Sequence, residues 1–357
     1  MHEEHDVALS GLTTMRVGGP AARLVTVETT DELVDAVREV DDADEPLLVV
    51  SGGSNLVVAD EGFPGTVVRI ATSGVTVESA DLCGGVMVRV AAGEGWDELV
   101  ARAVAEGWSG VEALSGIPGC TGATPVQNVG AYGQEVAQTI ASVRTWDRHE
   151  QRVRTFSNLD CAFTYRHSIF KSHSRFVVLD VLFQLIPGDL SQPIGYADLA
   201  RQLGVATGDR VPLAVARDAV LQQRRNRGMV IDADDPDTWS CGSFFTNPIL
   251  SVSQFADLEA RAAQRLGPDG PVPPRFADPD GNVKTSAAWL IDQAGFGKGY
   301  GLPGPAALST KHTLAITNRG GAKAADVAAL AREIRDGVRA AFGVSLVNEP
   351  VFVGHSL

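Results

Sequence analysis

The run Gly116-Ile117-Pro118-Gly119-Cys120-Thr121-Gly122-Ala123-Thr124-Pro125-Val126-Gln127-Asn128-Val129-Gly130-Ala131-Tyr132-Gly133 combines many small residues with a Gln-Asn pair set among apolar neighbours. Glycines allow backbone N–H groups to approach a bound group that a Cβ would keep away. A loop of this composition can lie flat against a ring system and its pyrophosphate. On the residues alone, a ligand-holding loop is a better reading than a plain connector.

Upstream of this run, residues 23–28 form a short run with β-branched Val25, Thr26 and Val27. Thr29 with Glu32 then makes a capping box, and Leu33, Val34, Val37 and Val40 share one helical face. Residues 47–50 have a buried-strand pattern that ends in Ser51-Gly52-Gly53-Ser54-Asn55, and residues 56–58 and 66–70 continue as strands. Residues 75–78 and 86–91 alternate like a hairpin. Residues 96–106 read as a helix with Leu99, Val100, Ala103 and Val104 inward and Gly107 as its stop. Downstream, residues 140–147, 151–156 and 176–185 read as strands of a meander, and residues 217–225 and 286–294 as helices. Residues 267–274 read as a surface loop. Residues 326–342 form an amphipathic helix with Val327, Leu330, Ile334 and Val338 inward, ended by Gly343. Such alternation argues α/β or α+β, with a third domain beginning after about Val211.

A chain of 357 residues predicts two or three domains, and 44% hydrophobic residues suffice for real cores. The formal net charge of −14 argues against wrapping nucleic acid, yet local Arg and Lys can still hold a small anion. Cys83, Cys120, Cys161 and Cys241 form no CxxC pair and no metal-ligand cluster with His, so reduced, mostly buried thiols in a cytosolic protein are expected and no metal. Residues 1–10 lack the apolar core of a signal peptide. No apolar run approaches a membrane span; residues 176–186 are broken by Asp180 and Gln184.

Familiar nucleotide signatures are absent. The spacing Gly299-x-Gly301-x-x-Gly304 follows a helix rather than a strand and contains Pro303, so it does not support a Rossmann site. Four other segments carry chemistry, and each also has a plainer reading. The 51–55 turn could cradle a phosphate, but alone it reads better as a tight β-turn. Tyr165-Arg166-His167-Ser168-Ile169-Phe170-Lys171 suits a carboxylate or phosphate, or equally a strand with a solvated basic end. Cys241-Gly242-Ser243-Phe244-Phe245-Thr246-Asn247-Pro248 offers a shielded hydroxyl, though a serine in an aromatic-walled turn is the better reading alone. Glu349 follows the apolar residues 344–347, where a carboxyl in an apolar strand would be held protonated; a strand-end glutamate facing solvent is the plainer alternative.

Taken in order, these segments resemble the UDP-N-acetylenolpyruvoylglucosamine reductase family. Leu12-Thr13-Thr14-Met15-Arg16-Val17-Gly18-Gly19-Pro20-Ala21 and Ser286-Ala287-Ala288-Trp289-Leu290-Ile291-Asp292-Gln293-Ala294-Gly295 match it as well, so the resemblance spans nearly the whole chain. It implies an α+β protein: a two-subdomain FAD-binding fold of the vanillyl-alcohol-oxidase type, residues 1–74 and 75–210, plus a C-terminal α/β substrate domain, residues 211–357. It implies Ser51, Gly52, Gly53, Ser54, Asn55, Ile117, Pro118, Gly119, Gly122, Ala123, Gln127, Asn128, Gly130 and Tyr132 as contacts of FAD. Arg166, Ser243 and Glu349 match the family's catalytic positions, and Tyr165, Tyr196, Arg227, Asn247 and Gln293 its substrate positions. Arg227 stands where the family often has lysine, and Pro350 follows Glu349 where the family's proline usually precedes the glutamate.

The function implied is NADPH-dependent reduction of UDP-N-acetylglucosamine enolpyruvate through FAD, in a cytoplasmic monomer with no nucleic-acid or membrane partner. Arg166 and a protonated Glu349 would stabilise charge on the substrate carboxylate, and Ser243 would protonate its α-carbon. An oxidase of the same fold, or a non-catalytic nucleotide-sugar binder, are the alternatives at this level.

Overall fold

The computed structural model describes residues 1–81, 84–171 and 173–357, so Cys83 lies outside the described residues. The chain forms two compact units. One comprises Met1–Val7, Ala21–Gly53 and Phe63–Val230; the other comprises Ala8–Pro20, Ser54–Gly62 and Ile231–Leu357. The helices are α1 Thr30–Asp42, α2 Trp96–Ala105, α3 Ala197–Leu203, α4 Leu213–Asn226, α5 Val252–Leu266, α6 Ala287–Gln293 and α7 Ala324–Phe342. The expected mixture of helices and sheets, α+β, is observed.

The first unit opens with a sheet ordered His2–Ala8, Pro20–Val27, Phe63–Ile70, Leu47–Val50. Its last three strands are parallel, and α1 is the crossover that parallel pairing requires. The expected capping box is present: Thr29 Oγ1 accepts from Glu32 N at 3.2 Å, and Glu32 accepts from Thr29 N at 3.3 Å. A second sheet is antiparallel, ordered Arg152–Ser157, Ile140–Asp147, Phe176–Pro187, Gly85–Ala91, Val75–Asp81. Phe176–Pro187 is its central strand, and its residues 177–181 are all buried, which explains the nearly unbroken apolar run. Trp96 of α2 is fully buried; its ring lies 5.9 Å from Phe183, and its Nε1 donates to Leu114 O at 3.2 Å.

The strand His2–Ala8 has no counterpart among the expectations, because its acidic, exposed residues hide any alternation. Residues 211–230, expected in the third domain, pack within the first unit. There α4 places Ala216, Ala219 and Val220 in a small core with Ala113, Ile194 and Leu199.

The second unit is built on short strands. Leu56–Val58 pairs in parallel with Val351–Val353, and Ala306–Leu308 forms a hairpin with Ile316–Asn318. The expected helix α7 turns Val327, Leu330, Ile334 and Val338 into a core shared with Phe255, Leu258 and Ala262 of α5. The structure adds α5 to the expected elements. Its buried stripe is only Phe255, Leu258 and Ala262, but Ser251 and Gln254 cap it reciprocally at 3.2 and 2.8 Å.

Cys120, Cys161 and Cys241 are free thiols, and burial pushes Cys161 and Cys241 up to about 12. No helix of the described residues is long and apolar enough to cross a membrane, and no group of three His, Cys, Asp or Glu among them could hold a metal ion.

Asp147 ends one strand of the antiparallel sheet and accepts from Arg175 Nε and Nη2 at 2.9 and 2.7 Å, and from His149 N at 3.1 Å. The Arg175 guanidinium holds its carboxyl down to about 2 against the cost of burial. Because the folded value lies below the unfolded one, this contribution is complete above about pH 4 and is lost as pH falls through about 2. Asp147→Asn should therefore cost about 1 kcal/mol at pH 7, discounted for the partly exposed arginine. Urea unfolding at pH 7 and pH 3 should show the deficit shrinking on acidification; an equal deficit at both would refute the ion-pair account.

Candidate functional site

The first two Gly-rich segments meet inside the first unit. A Cβ built on Gly52 would lie 2.4 Å from Gly119 Cα, so the turn after Leu47–Val50 touches the long loop backbone to backbone. Gly53 and Gly119 have φ of 56° and 109°, which other residues rarely adopt. The loop also lies tight on the start of α2: Gly119 O accepts from Trp96 N at 3.0 Å, and Thr121 N donates to Glu94 O at 2.8 Å. Gly122 N donates to Ala92 O at 2.8 Å, and a Cβ on Gly122 would lie 2.5 Å from Ala92 Cβ.

Ser51, Gly52, Ile117, Pro118 and Gly119 are half-buried on this contact, and Ala123 is exposed. Burial pushes the Cys120 thiol up, opposed by hydrogen bonding with Ser51 and with the Gly52 backbone. Thr121 Oγ1 is fully buried with no hydrogen-bond partner. A glycine-lined backbone surface beside an unsatisfied buried hydroxyl fits a phosphate-bearing cofactor such as FAD.

Gln127 is half-buried beside Asn128, which is 1% exposed with φ 47°. The Asn128 side chain is spent inside the protein. Its Nδ2 donates to Glu135 Oε2 at 2.8 Å and Thr164 O at 3.1 Å, and its Oδ1 accepts from Ala137 N at 3.1 Å. It therefore shapes the loop and carries the chain to Arg166. Thr164 and His167 pair across a tight turn in which Arg166 has φ 55°. Arg166 Nη2 donates to Gly130 O at 2.7 Å and Nη1 to Asn128 O at 3.4 Å, and the guanidinium lies 5.3 Å from the Tyr165 ring centre. The segment is a turn anchored on the loop, not the strand with a solvated end that was its alternative reading.

A third cluster lies in the same unit. Tyr132 meets Tyr196 edge to face, with ring centres 5.5 Å apart. Burial pushes the Tyr132 hydroxyl up, opposed by Arg224 and by Arg227, which hydrogen-bonds it. Arg227 caps α4 and lies 3.6 Å from Asp198. Arg224 is absent from the expected site, although it lies three positions before Arg227 on α4 and so on the same face. Burial pushes it down to about 10, which leaves it a cation at neutral pH; its Nη2 donates to Met229 O at 2.8 Å and its Nε has no hydrogen-bond partner.

Ser54, Asn55, Ser243, Asn247, Gln293 and Glu349 belong to the second unit. Residues 344–347 are not the strand expected there; the strand is Val351–Val353, and Glu349 precedes it in an irregular segment. Glu349 is half-buried, and its backbone is pinned from two sides. Glu349 N donates to Phe244 O at 2.9 Å, one residue from Ser243, and Asn55 Nδ2 donates to Glu349 O at 3.2 Å. Val351 N donates back to Asn55 O at 2.9 Å. Gly242, with φ 72°, turns the chain so that Phe244 N reaches Leu314 O at 2.7 Å, leaving Ser243 half-buried. Asn247 Oδ1 accepts from Ala287 N at 3.0 Å, at the first turn of α6, while Gln293 ends that helix beside Asp292. A helix rise of about 1.5 Å per residue keeps Gln293 roughly 10 Å from the Asn247 end. The structure therefore brings the segments of Ser243, Asn55 and Glu349 together, and places Asn247 and Gln293 at opposite ends of α6.

Residues 21–155 match the model of an FAD binding domain, and residues 234–353 that of the UDP-N-acetylenolpyruvoylglucosamine reductase C-terminal domain. The UDP-N-acetylenolpyruvoylglucosamine reductase of Thermobifida fusca is 59% identical, covering 99% of this chain and 98% of that protein. That of Streptomyces avermitilis is 56% identical, covering 100% and 96%. The crystal structure of the Thermus caldophilus enzyme is 27% identical, with a TM-score of 0.65 and 99% of each chain covered.

Gly52→Ala should force the Gly52 and Gly119 turns apart and strip most of the visible flavin absorbance from the purified protein. Gly297→Ala, whose Cβ would meet nothing within 4 Å, should keep it. Equal flavin content in the two variants would show that the glycine contact does not shape the cofactor site.

Proposed function

The chain belongs to the UDP-N-acetylenolpyruvoylglucosamine reductase family, and we propose that it carries out the family's reaction with Arg166, Ser243 and Glu349 acting on the substrate. The reaction reduces the enolpyruvyl ether of UDP-N-acetylglucosamine to UDP-N-acetylmuramate, a step in peptidoglycan precursor synthesis. FAD, when bound, supplies the hydride chemistry, with NADPH as the source of electrons. Residues 51–55 and 117–132 would hold it, and their glycine contact suits that role.

The observation that carries this reading is the anchoring of Arg166. Its guanidinium is tied to the carbonyls of Asn128 and Gly130, so a fixed cation sits on the loop assigned to the cofactor. Such a cation is preorganised for a substrate carboxylate on which negative charge grows, and it need not reorganise during reaction. Glu349 acts as a protonated acid that donates a hydrogen bond to the developing charge. Ser243 gives its hydroxyl proton to the α-carbon. Asn55 fixes the backbone of Glu349, and Phe244 ties that backbone to the residue next to Ser243.

Tyr165, Tyr196, Arg227, Asn247 and Gln293 are assigned to the sugar nucleotide. Arg227, with Arg224 near Tyr132, supports this by concentrating positive charge in an otherwise acidic protein. Residues 1–74 and 75–210 are assigned to the cofactor and residues 211–357 to the substrate. A cytoplasmic monomer that uses NADPH completes the proposal.

Positioned proton transfer contributes about 10²–10⁴-fold in rate. Ser243→Ala should slow reoxidation of the reduced enzyme by the enolpyruvyl substrate by about that factor, and leave reduction by NADPH nearly untouched. Stopped-flow absorbance separates the two steps, and equal losses in both would remove Ser243 from the proton transfer. Glu349→Gln should retain more activity than Glu349→Ala because the amide keeps a neutral donor; the reverse order would exclude a protonated acid.

A further inference from the structure

Glu112 takes no part in the chemistry described above, yet it is the most elaborately held carboxylate beside the candidate site. It opens the single-turn helix Glu112–Leu114, directly before the Gly-rich loop, and is 2% exposed. Oε2 accepts from Gly110 N at 2.7 Å. Oε1 accepts from the Gln134 side-chain amide at 2.9 Å and from the Gln192 backbone at 2.6 Å. The bonds continue outward: Gln134 Oε1 accepts from Ala113 N at 2.8 Å, and Gln192 Nε2 donates to Ser109 Oγ at 2.6 Å. A buried carboxylate is costly unless such donors meet it, so its retention here needs a reason.

The two groups that share Oε1 come from two different segments. Gln134 lies two residues after Tyr132, directly after the Gly-rich loop, in the short strand Gln134–Glu135. Gln192 lies four residues before Tyr196, in the segment that leads into α3. Those two tyrosines are the edge-to-face pair. Between the segments lies a small cavity lined by Glu112, Tyr132, Gln134, Gln192, Ile194 and Leu199. The same segments also share an apolar core of Ala113, Ile194 and Leu199, with Tyr132 packed against it; apolar contact is non-directional, and the bonds to Glu112 add the direction that fixes their register on this side.

We propose that Glu112 is a positioning residue that holds the Tyr196 segment in register with the Gly-rich loop, so that the Tyr132–Tyr196 pair is preset for the sugar nucleotide. This rests on the assignment of Tyr196 to the sugar-nucleotide site. Glu112→Gln keeps the shape of the side chain but turns one acceptor into an NH2 group that faces N–H donors. Coupling within such a network is worth several-fold to about a hundredfold.

The test is a double-mutant cycle on the flavin-loaded enzyme, reading KM for the enolpyruvyl UDP-sugar and kcat. Glu112→Gln should raise KM about 10-fold with kcat within about twofold, and the rate of reduction by NADPH should hold. Tyr196→Ala should also raise KM, and adding Glu112→Gln to it should raise KM no further. Independent, multiplying effects would overturn the positioning role while leaving Tyr196 in the site. An unchanged KM in Tyr196→Ala alone would overturn the assignment of Tyr196, and the proposal with it. Should Glu112→Gln fail to fold, Gln134→Met enters the same cycle in its place, with the same coupled or independent outcomes deciding.

Discussion

The contact on which the first unit depends is the approach of Gly52 to Gly119, where a Cβ on the one would stand 2.4 Å from the Cα of the other. No side chain can be interposed, so the turn leaving the parallel sheet and the long loop share one backbone surface. The loop is held from its other side by hydrogen bonds to Ala92, Glu94 and Trp96 at the start of α2. Buried backbone groups must be paired, and these bonds satisfy the loop while leaving it irregular enough to present glycines. The position of Arg166 follows from this, because its guanidinium is fixed to the carbonyls of Asn128 and Gly130 further along the same loop.

The second unit reaches a comparable order by different means. Its strands are short, and its candidate groups sit on irregular chain held by single backbone bonds. Glu349 is fixed through Phe244 on one side and Asn55 on the other, and Asn247 is fixed to the first turn of α6. Catalytic geometry carried on loops is precise only where such bonds lock the backbone. The two aromatic residues after Ser243 serve the same end: Phe244 and Phe245 are 0% and 1% exposed, so the turn is nailed into the core while Ser243 stays half-buried.

Buried polar groups recur as the organisers. Asn128, Glu112 and Asp147 each make several hydrogen bonds, some to distant parts of the chain, and each is almost wholly removed from solvent. Apolar contacts are non-directional and tolerate small shifts, whereas these bonds specify one arrangement.

Periodicity in the sequence determined the helices α2 and α7, the strands around them and the capping box at Thr29, because each is a local matter of which faces are apolar and which backbone groups need a cap. The motif order determined the family, and the family's reaction with it. What only the tertiary structure decided was how side chains are spent. Asn128 reads as a ligand contact and its side chain is consumed by Glu135, Thr164 and Ala137; Asn55 reads as part of a phosphate turn and holds Glu349; Glu112 carries no local signal at all. Asn55 reaches Glu349 across 294 residues and Glu112 reaches Gln192 across 80, and a hydrogen bond at that separation leaves no periodic trace in the chain that makes it.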